Sequence, residues 1–331
     1  MGRMSPDQLN DSTSHMERAV RAVLAGQTVT DAACGYDVAA YDLTDAITTY
    51  EQAGRSALVH HAAVDKWWQI NITFHDLLSC DRVFATHVLP ALHDTLNAWW
   101  FIRKPPGFRL RTQADTGARA AMTVVLDQLV TDGHLQRWHP VIYEPETVVF
   151  GGDTSMKVAH ELFAADSREI MRLPSLHLPV GQRELSVLLC MILMRAAGLE
   201  WYEAGDVWDR VITVERRSAL GDITPELLGK RAAEIRTLLL ADTSVLLGDS
   251  GPLAAVNCWG AAFHRAGRRL GTLARNGTLG RGLREVLSLH MIFHWNRLGL
   301  SLPAQSLLAA AARTATFRDR PDGTEQHRAR C

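Results

Sequence analysis

The chain has 331 residues, 47% of them hydrophobic and 21% charged, with a formal net charge of −1. That is ordinary globular composition, with enough chain for a buried core in one large domain or two modest ones. The near-zero balance excludes a global field that would draw the protein to nucleic acid or a membrane surface.

Residues 1 to 13 are polar and expected to be a flexible N-terminus; 318 to 331 have the composition of a disordered tail. Residues 14 to 317 are expected to form a single compact domain. From Met16 to Arg55 the pattern is mostly helical, broken at Gly26 and Gly35. At residues 67 to 75 the period switches. Trp68, Ile70, Ile72 and Phe74 alternate with Gln69, Asn71, Thr73 and His75, which predicts a half-buried strand. A second strand over Trp99 to Arg103, a turn at Pro105-Pro106-Gly107 and a returning strand over Phe108 to Gln113 follow. On the returning strand Phe108, Leu110 and Thr112 share one face, and Arg109, Arg111 and Gln113 the other. A helix near 119 to 131 precedes more β structure through Val141-Ile142-Tyr143 and Thr147 to Phe150. Pro145 interrupts it, because proline cannot donate to a ladder. Asp153 and Thr154 are the expected N-caps of the next helix, which ends at Asp166-Ser167 in a turn or local cap. Amphipathic stretches near 182–197, 203–218, 225–247, 253–271, 281–299 and 303–315 complete the chain. Strands early and helices late predict an α+β fold, with an antiparallel β-containing N-terminal half and a helix-rich C-terminal half.

The five cysteines, at 34, 80, 190, 258 and 331, are odd in number and far apart, with no Cys-x-x-Cys and no zinc spacing. A reduced, cytoplasmic protein is expected. The N-terminus lacks the order of a signal peptide, and the apolar run from Leu185 to Ala197 is too short to span a bilayer. No nucleotide-binding or nucleophile-elbow motif is present, so no cofactor is expected. Cationic charge is almost wholly arginine, suited to bidentate contact with carboxylates and carbonyls. Arg109 and Arg111, two apart on a strand, aim both guanidiniums to one side of the sheet; a solvated arginine ladder is the alternative. His290, His294 and Arg297 fall at i, i+4 and i+7 on one helix face. Two histidines at that spacing can ligate a metal, but no third ligand is evident, so no metal is expected. A core histidine and an acid/base imidazole are both open readings, for His290 as for His294. Ser288 and Asn296 are neighbouring donors. Tyr143 is a hydrogen-bond donor at a bend, with Glu144 beside it. Gly151-Gly152 serve backbone shape. Of each pair Trp67-Trp68 and Trp99-Trp100, one ring should enter the core and one face outward.

The segment Tyr143-Glu144-Pro145-Glu146-Thr147-Val148-Val149-Phe150-Gly151-Gly152 resembles the Tyr-x-Arg-Glu-x-x-Arg-Tyr-Gly-Gly motif in the elimination domain of class I lanthipeptide dehydratases. Three further blocks are similar, in family order: Trp100-Phe101-Ile102-Arg103 with Leu110-Arg111, the helix from Ser155 to Ser167, and His294-Trp295-Asn296-Arg297-Leu298. Both motif arginines are replaced, by Pro145 and Val149, so the cations that would hold a glutamyl leaving group are gone. A scaffold of that kind redirected to other chemistry resembles the stand-alone pyridine synthases of thiopeptide biosynthesis. The resemblance implies an elimination-domain-like fold and a cofactor-independent enzyme. Such an enzyme joins two dehydroalanines of a modified precursor peptide in a formal aza-[4+2] cycloaddition, and loss of water and leader peptide then gives a pyridine-centred macrocycle. It implies His294, Tyr143, Arg109, Arg111, Ser288 and Asn296 as catalytic residues. Arg103, Glu144, Trp100 and Arg297 would bind substrate, and outward tryptophans would stack on thiazoles. The implied partners are the leader-bearing precursor and other thiopeptide-modifying enzymes, with no nucleic acid and no membrane. The alternatives are a split glutamate-elimination domain and a non-catalytic leader-binding subunit.

Overall fold

The computed structural model describes residues 6–64, 67–214 and 223–317. Its contacts divide the chain into two units, Met1–Asp65 and Lys66–Cys331. The division thus falls inside the stretch expected to be one domain, while the expected tail from 318 lies outside the described residues. The first unit holds α1 (Pro6–Leu24), α2 (Val29–Gly35) and α3 (Ala40–Val64), so residues 6 to 13, expected to be flexible, are helical. Its small core is Ala19, Val20, Ala32, Ala33 and Leu43. Thr28 caps α2 by accepting from the Asp31 amide at 3.1 Å.

The second unit opens with β1 (Trp67–Thr73), then α4 (Cys80–Val83), a π-helical turn at Phe84–Val88, and α5 (Leu89–Leu92). The hairpin β2 (Trp99–Lys104) and β3 (Gly107–Gln113) follows, then α6 (Thr116–Thr131) and β4 (Arg137–Val141). The sheet is antiparallel, in the order β2-β3-β1-β4. After it the chain is helical: α7 (Asp153–Arg172), α8 (Gln182–Ala196), α9 (Trp201–Thr213), α10 (Pro225–Leu240), α11 (Thr243–Leu247), α12 (Asn257–Arg275), α13 (Leu283–Leu298) and α14 (Leu302–Phe317). The α+β class expected from the order of patterns is therefore the class observed.

Register decides which side chains meet. Trp68 lies opposite Thr112, Ile70 opposite Leu110 and Ile72 opposite Phe108, while Phe101 pairs with Leu110. This face belongs to the main core, shared with Trp99 and with apolar residues of α6 and most of the later helices. The other face carries Trp67, Gln69, Trp100 and Arg111, and one end of it is covered by a second cluster containing Tyr143, Phe150, Met156 and Phe163. Because both faces are covered there, Trp99 and Trp100 are both buried. The expectation of one inward and one outward ring is corrected on that strand.

Three further local expectations are corrected. Residues 142–146 have no regular structure and 147–151 form a turn, not a strand, with Phe150 N–H donating to Glu146 O and Gly152 N–H to Thr147 O. Gly151 and Gly152 sit at φ +86° and +106°, a region that L side chains rarely adopt, so the turn needs both glycines. Gly152, not Asp153 or Thr154, is the N-cap of α7. Asp166 and Ser167 lie inside α7, fully buried, rather than at its end.

Candidate active site

Tyr143, Arg111 and Trp100 come together at the covered end of the sheet. The Arg111 guanidinium lies 4.2 Å from the Trp100 ring centroid and 5.0 Å from that of Tyr143. Desolvated contacts of this kind contribute roughly 2 kcal/mol. Arg111 Nε donates to Gln69 Oε1 at 2.7 Å, and the chain of hydrogen bonds runs on from Gln69 Nε2 to Asn71 Oδ1 and from Asn71 Nδ2 to His139 Nε2. Nη1 of Arg111 is buried without a hydrogen-bond partner. Burial pulls the Arg111 pKa down to about 10, against the pull of Tyr143, and the group stays cationic at neutral pH.

The Tyr143 hydroxyl is 2.7 Å from His160 Nε2. Burial depresses the His160 pKa to about 4, and Arg111 adds to the effect. Burial likewise raises the Tyr143 phenol above its ordinary value, with Arg111 opposing. At neutral pH the pair is therefore a neutral phenol donating to a neutral imidazole. Trp67 packs against both, 4.6 Å from His160 and 6.0 Å from Tyr143 between ring centroids. Glu146 is close enough for its charge to act on both Arg111 and Tyr143. Arg109 is half-buried and Glu144 is exposed.

The C-terminal motif builds a separate, internal cluster. Asp166 Oδ1 accepts from His294 Nδ1 at 2.9 Å and from Trp259 Nε1 at 2.8 Å, and Oδ2 accepts from Arg297 Nε at 2.7 Å. Burial alone would raise the Asp166 carboxyl, but His294 and Arg297 outweigh it and hold it below the ordinary carboxylate range. His294, Arg297 and Asp166 are fully buried, so in this conformation none of them meets solvent. His290 is also buried, its pKa lowered to about 3 by burial with Arg297 adding to it. Phe163 joins the two clusters: the Arg297 guanidinium lies 4.3 Å from its ring centroid, and its ring is 4.9 Å from that of Trp100.

The remaining expected residues are engaged elsewhere. Ser288 donates to the Glu285 carbonyl at 2.8 Å, and Asn296 accepts from Gln305 at 3.1 Å. Arg103 donates to the Arg297 carbonyl at 2.7 Å and pairs with Asp81, tying β2 to α13. His160 and Gln69 are not singled out as site residues by sequence, and Trp67 enters only as one ring of the Trp67-Trp68 pair. The alternation that put Gln69 opposite Trp68, and the helical spacing that aligns His160 with Met156 and Phe163, were the available signals. Among the described residues, no three of His, Cys, Asp and Glu gather in a way that could hold a metal ion. Nor is any described helix long and apolar enough to cross a membrane.

An antiparallel sheet covered by helices, with a buried Arg–Tyr–His cluster on one face and an Asp–His–Arg cluster behind it, makes up an α+β domain. Residues 67–316 match the family model for the C-terminal region of lantibiotic biosynthesis dehydratases, and the chain belongs to that family. It is similar in structure to the tRNA-dependent lantibiotic dehydratase MibB from Microbispora sp. 107891, at TM-score 0.56 and 19% identity over 76% of this chain. It spans only 28% of that dehydratase. It is also similar to TbtD, a pyridine synthase from thiomuracin biosynthesis, at TM-score 0.53 and 17% identity, covering 77% of this chain and 98% of that one. At these identities the likeness is one of fold. No curated protein matches the chain.

Proposed function

We propose that this protein is a biosynthetic enzyme acting on a ribosomally made, modified peptide, and specifically a pyridine synthase that joins two dehydroalanines of a leader-bearing precursor. The observation that carries the reading is the Tyr143–His160 pair beside Arg111. It supplies proton transfer and a fixed cation within an aromatic wall, while Pro145 and Val149 stand where the dehydratase motif has its arginines.

The reaction begins with an amide that must tautomerise, moving one proton from nitrogen to oxygen. The pair gives a proton at the phenol oxygen and takes one at the imidazole, so its net charge is unchanged. In this reading Arg111, whose buried Nη1 lacks a hydrogen-bond partner, stabilises charge on the amide oxygen. Two bonds close the ring, one between the CH2 carbons of the alkenes and one from the iminol carbon to the α-carbon of the second alkene, and loss of water and of the leader as an amide aromatises it. Holding two distant alkenes together contributes as much as about 7–11 kcal/mol, the task of Trp67, Trp100 and Arg109. In this reading His294, Arg297, Ser288, Asn296 and Arg103 position the elements around the site, and Glu144 meets substrate at the rim.

The test is mass spectrometry of the purified protein with a linear precursor bearing thiazoles, two dehydroalanines and its leader. The expected product is a macrocycle lighter by one water and the leader amide, with free leader amide beside it. New dehydroalanine from a glutamylated precursor, without ring closure, would instead establish an elimination domain.

A further inference from the structure

Helices α7 and α12 leave between them a cleft of about 440 Å³ that the reaction described above does not use. Its floor is apolar, made by Val158 and Leu162 of α7 and by Ala266 and Leu273 of α12; Arg265, Arg268 and Arg269 stand along its rim. The α12 side of the rim is one-signed for a chain of net charge −1: α12 carries four arginines and no acidic residue in 19 positions, and the carboxylate on the α7 side is Glu161. Arg269 reaches across to pair with Glu161 of α7. Arg265 and Arg268 are exposed and have no ion-pair partner among the described residues.

An apolar floor under a cationic rim complements a segment with apolar side chains on one face and carboxylates on the other. The chain's own residues 318 to 331 do not fit: they contain four arginines against three acids and no large apolar side chain. A polynucleotide would use the arginines but not the floor. We infer that the α7–α12 cleft docks an acidic amphipathic segment of the peptide substrate. This rests on the reading of the protein as a peptide-modifying enzyme and adds a binding site separate from the chemistry.

The placement suits that role. At 100° per residue, Met156, Ala159, His160 and Phe163 lie on one face of α7, toward Tyr143. Thr154, Val158, Glu161 and Leu162 lie on the opposite face, toward the cleft. Anchor and reaction site are thus separated by one helix, about 10–12 Å across. A peptide held at the cleft reaches Tyr143 through a short connector, at high effective concentration.

The experiment is fluorescence anisotropy with the full chain. The probe is a labelled helical peptide with leucine at i, i+3, i+4 and i+7 and glutamate elsewhere. One control replaces its leucines by serine; another is single-stranded oligouridine. The probe is expected to bind, and both the serine control and the double variant Arg265→Glu/Arg268→Glu are expected to weaken binding at least about tenfold, with the variant's circular dichroism unchanged. Binding of the probe within about twofold of wild type in the variant overturns the proposal. So does arginine-dependent binding of oligouridine but not of the probe. The outcome stands apart from the reaction assay. A chain that binds the probe through Arg265 and Arg268 but makes no macrocycle keeps the docking site and loses the pyridine synthase reading. Equal cyclisation of leader-bearing precursor by variant and wild type removes the docking site and leaves the reaction.

Discussion

At the scale of single residues, the site is a contest between burial and hydrogen bonding. Tyr143 donates to His160 because burial keeps both neutral at pH 7. Replacing Tyr143 by Phe keeps the ring contacts and removes the proton. Macrocycle formation in the mass-spectrometric assay is then expected to fall about 10²–10⁴-fold, with an unchanged circular dichroism spectrum. A loss under about threefold would move proton transfer elsewhere. His160 also sets an acid response. Its folded pKa of about 4 lies below the unfolded histidine value, so the unfolded chain binds the extra proton first. Stability is therefore full above about pH 6.5 and declines as pH falls toward 4, with His160 contributing a loss on the order of 3 kcal/mol. His290, held at about 3, extends the decline. Urea midpoints measured from pH 7 to 4.5 are expected to fall, and His160→Gln should make that fall shallower; an equal slope would show that His160 is not the group responsible. The tyrosine was legible in the sequence because it begins a near-intact motif. Its partner was not, since one histidine among 14 acquires meaning only when a helix and a loop 17 residues apart pack together.

At the scale of elements, α7 joins the parts of the second unit. Asp166 binds side chains from α12 and α13, and Ser167 Oγ accepts the Phe101 amide at the edge of β2. Asp166→Asn leaves Arg297 buried without its counter-charge, at an expected cost of about 3–5 kcal/mol, read from chemical denaturation. A change below about 1 kcal/mol would mean that the ion cluster is not what ties these helices. The β2–β3 hairpin has its own dependence: a Cβ at Gly107 would collide with the Ile72 carbonyl on β1. Gly107→Ala is expected to cost about 3 kcal/mol or more, visible as a lowered unfolding midpoint. The hairpin itself was evident from two alternating runs around Pro105-Pro106-Gly107. The Asp166 cluster was not, because its residues lie up to 131 apart in sequence and the local pattern offered only a helix end.

At the scale of the molecule, the two units differ in what they can bury. Among the described residues, the first has a small core of mainly alanine and valine with one leucine, whereas the second has an extended core with several buried tryptophans. A fragment of residues 66–331 is expected to unfold cooperatively by itself, while 1–65 alone should show little cooperative melting. Thermal melts of the two fragments followed by circular dichroism check this. A cooperative transition in 1–65 would show that its alanine-rich helices suffice.

By itself the sequence determined the α+β class, three strands to within a few residues, the turn at the paired prolines and the α7–α14 region as helical. Those features are written in periods of two and 3.6 and in local breakers, and need no distant contact. It also determined the placement of Arg111 on the strand face opposite Leu110. Only the tertiary structure decided that this face would be covered, which turned two neighbouring tryptophans inward together and desolvated Arg111, Tyr143 and His160 into one site. Likewise, the His294 and Arg297 spacing was visible as one helix face. That the face would turn inward onto Asp166 followed from packing around a buried carboxylate, because an ionised group removed from water requires partners wherever in the chain they lie.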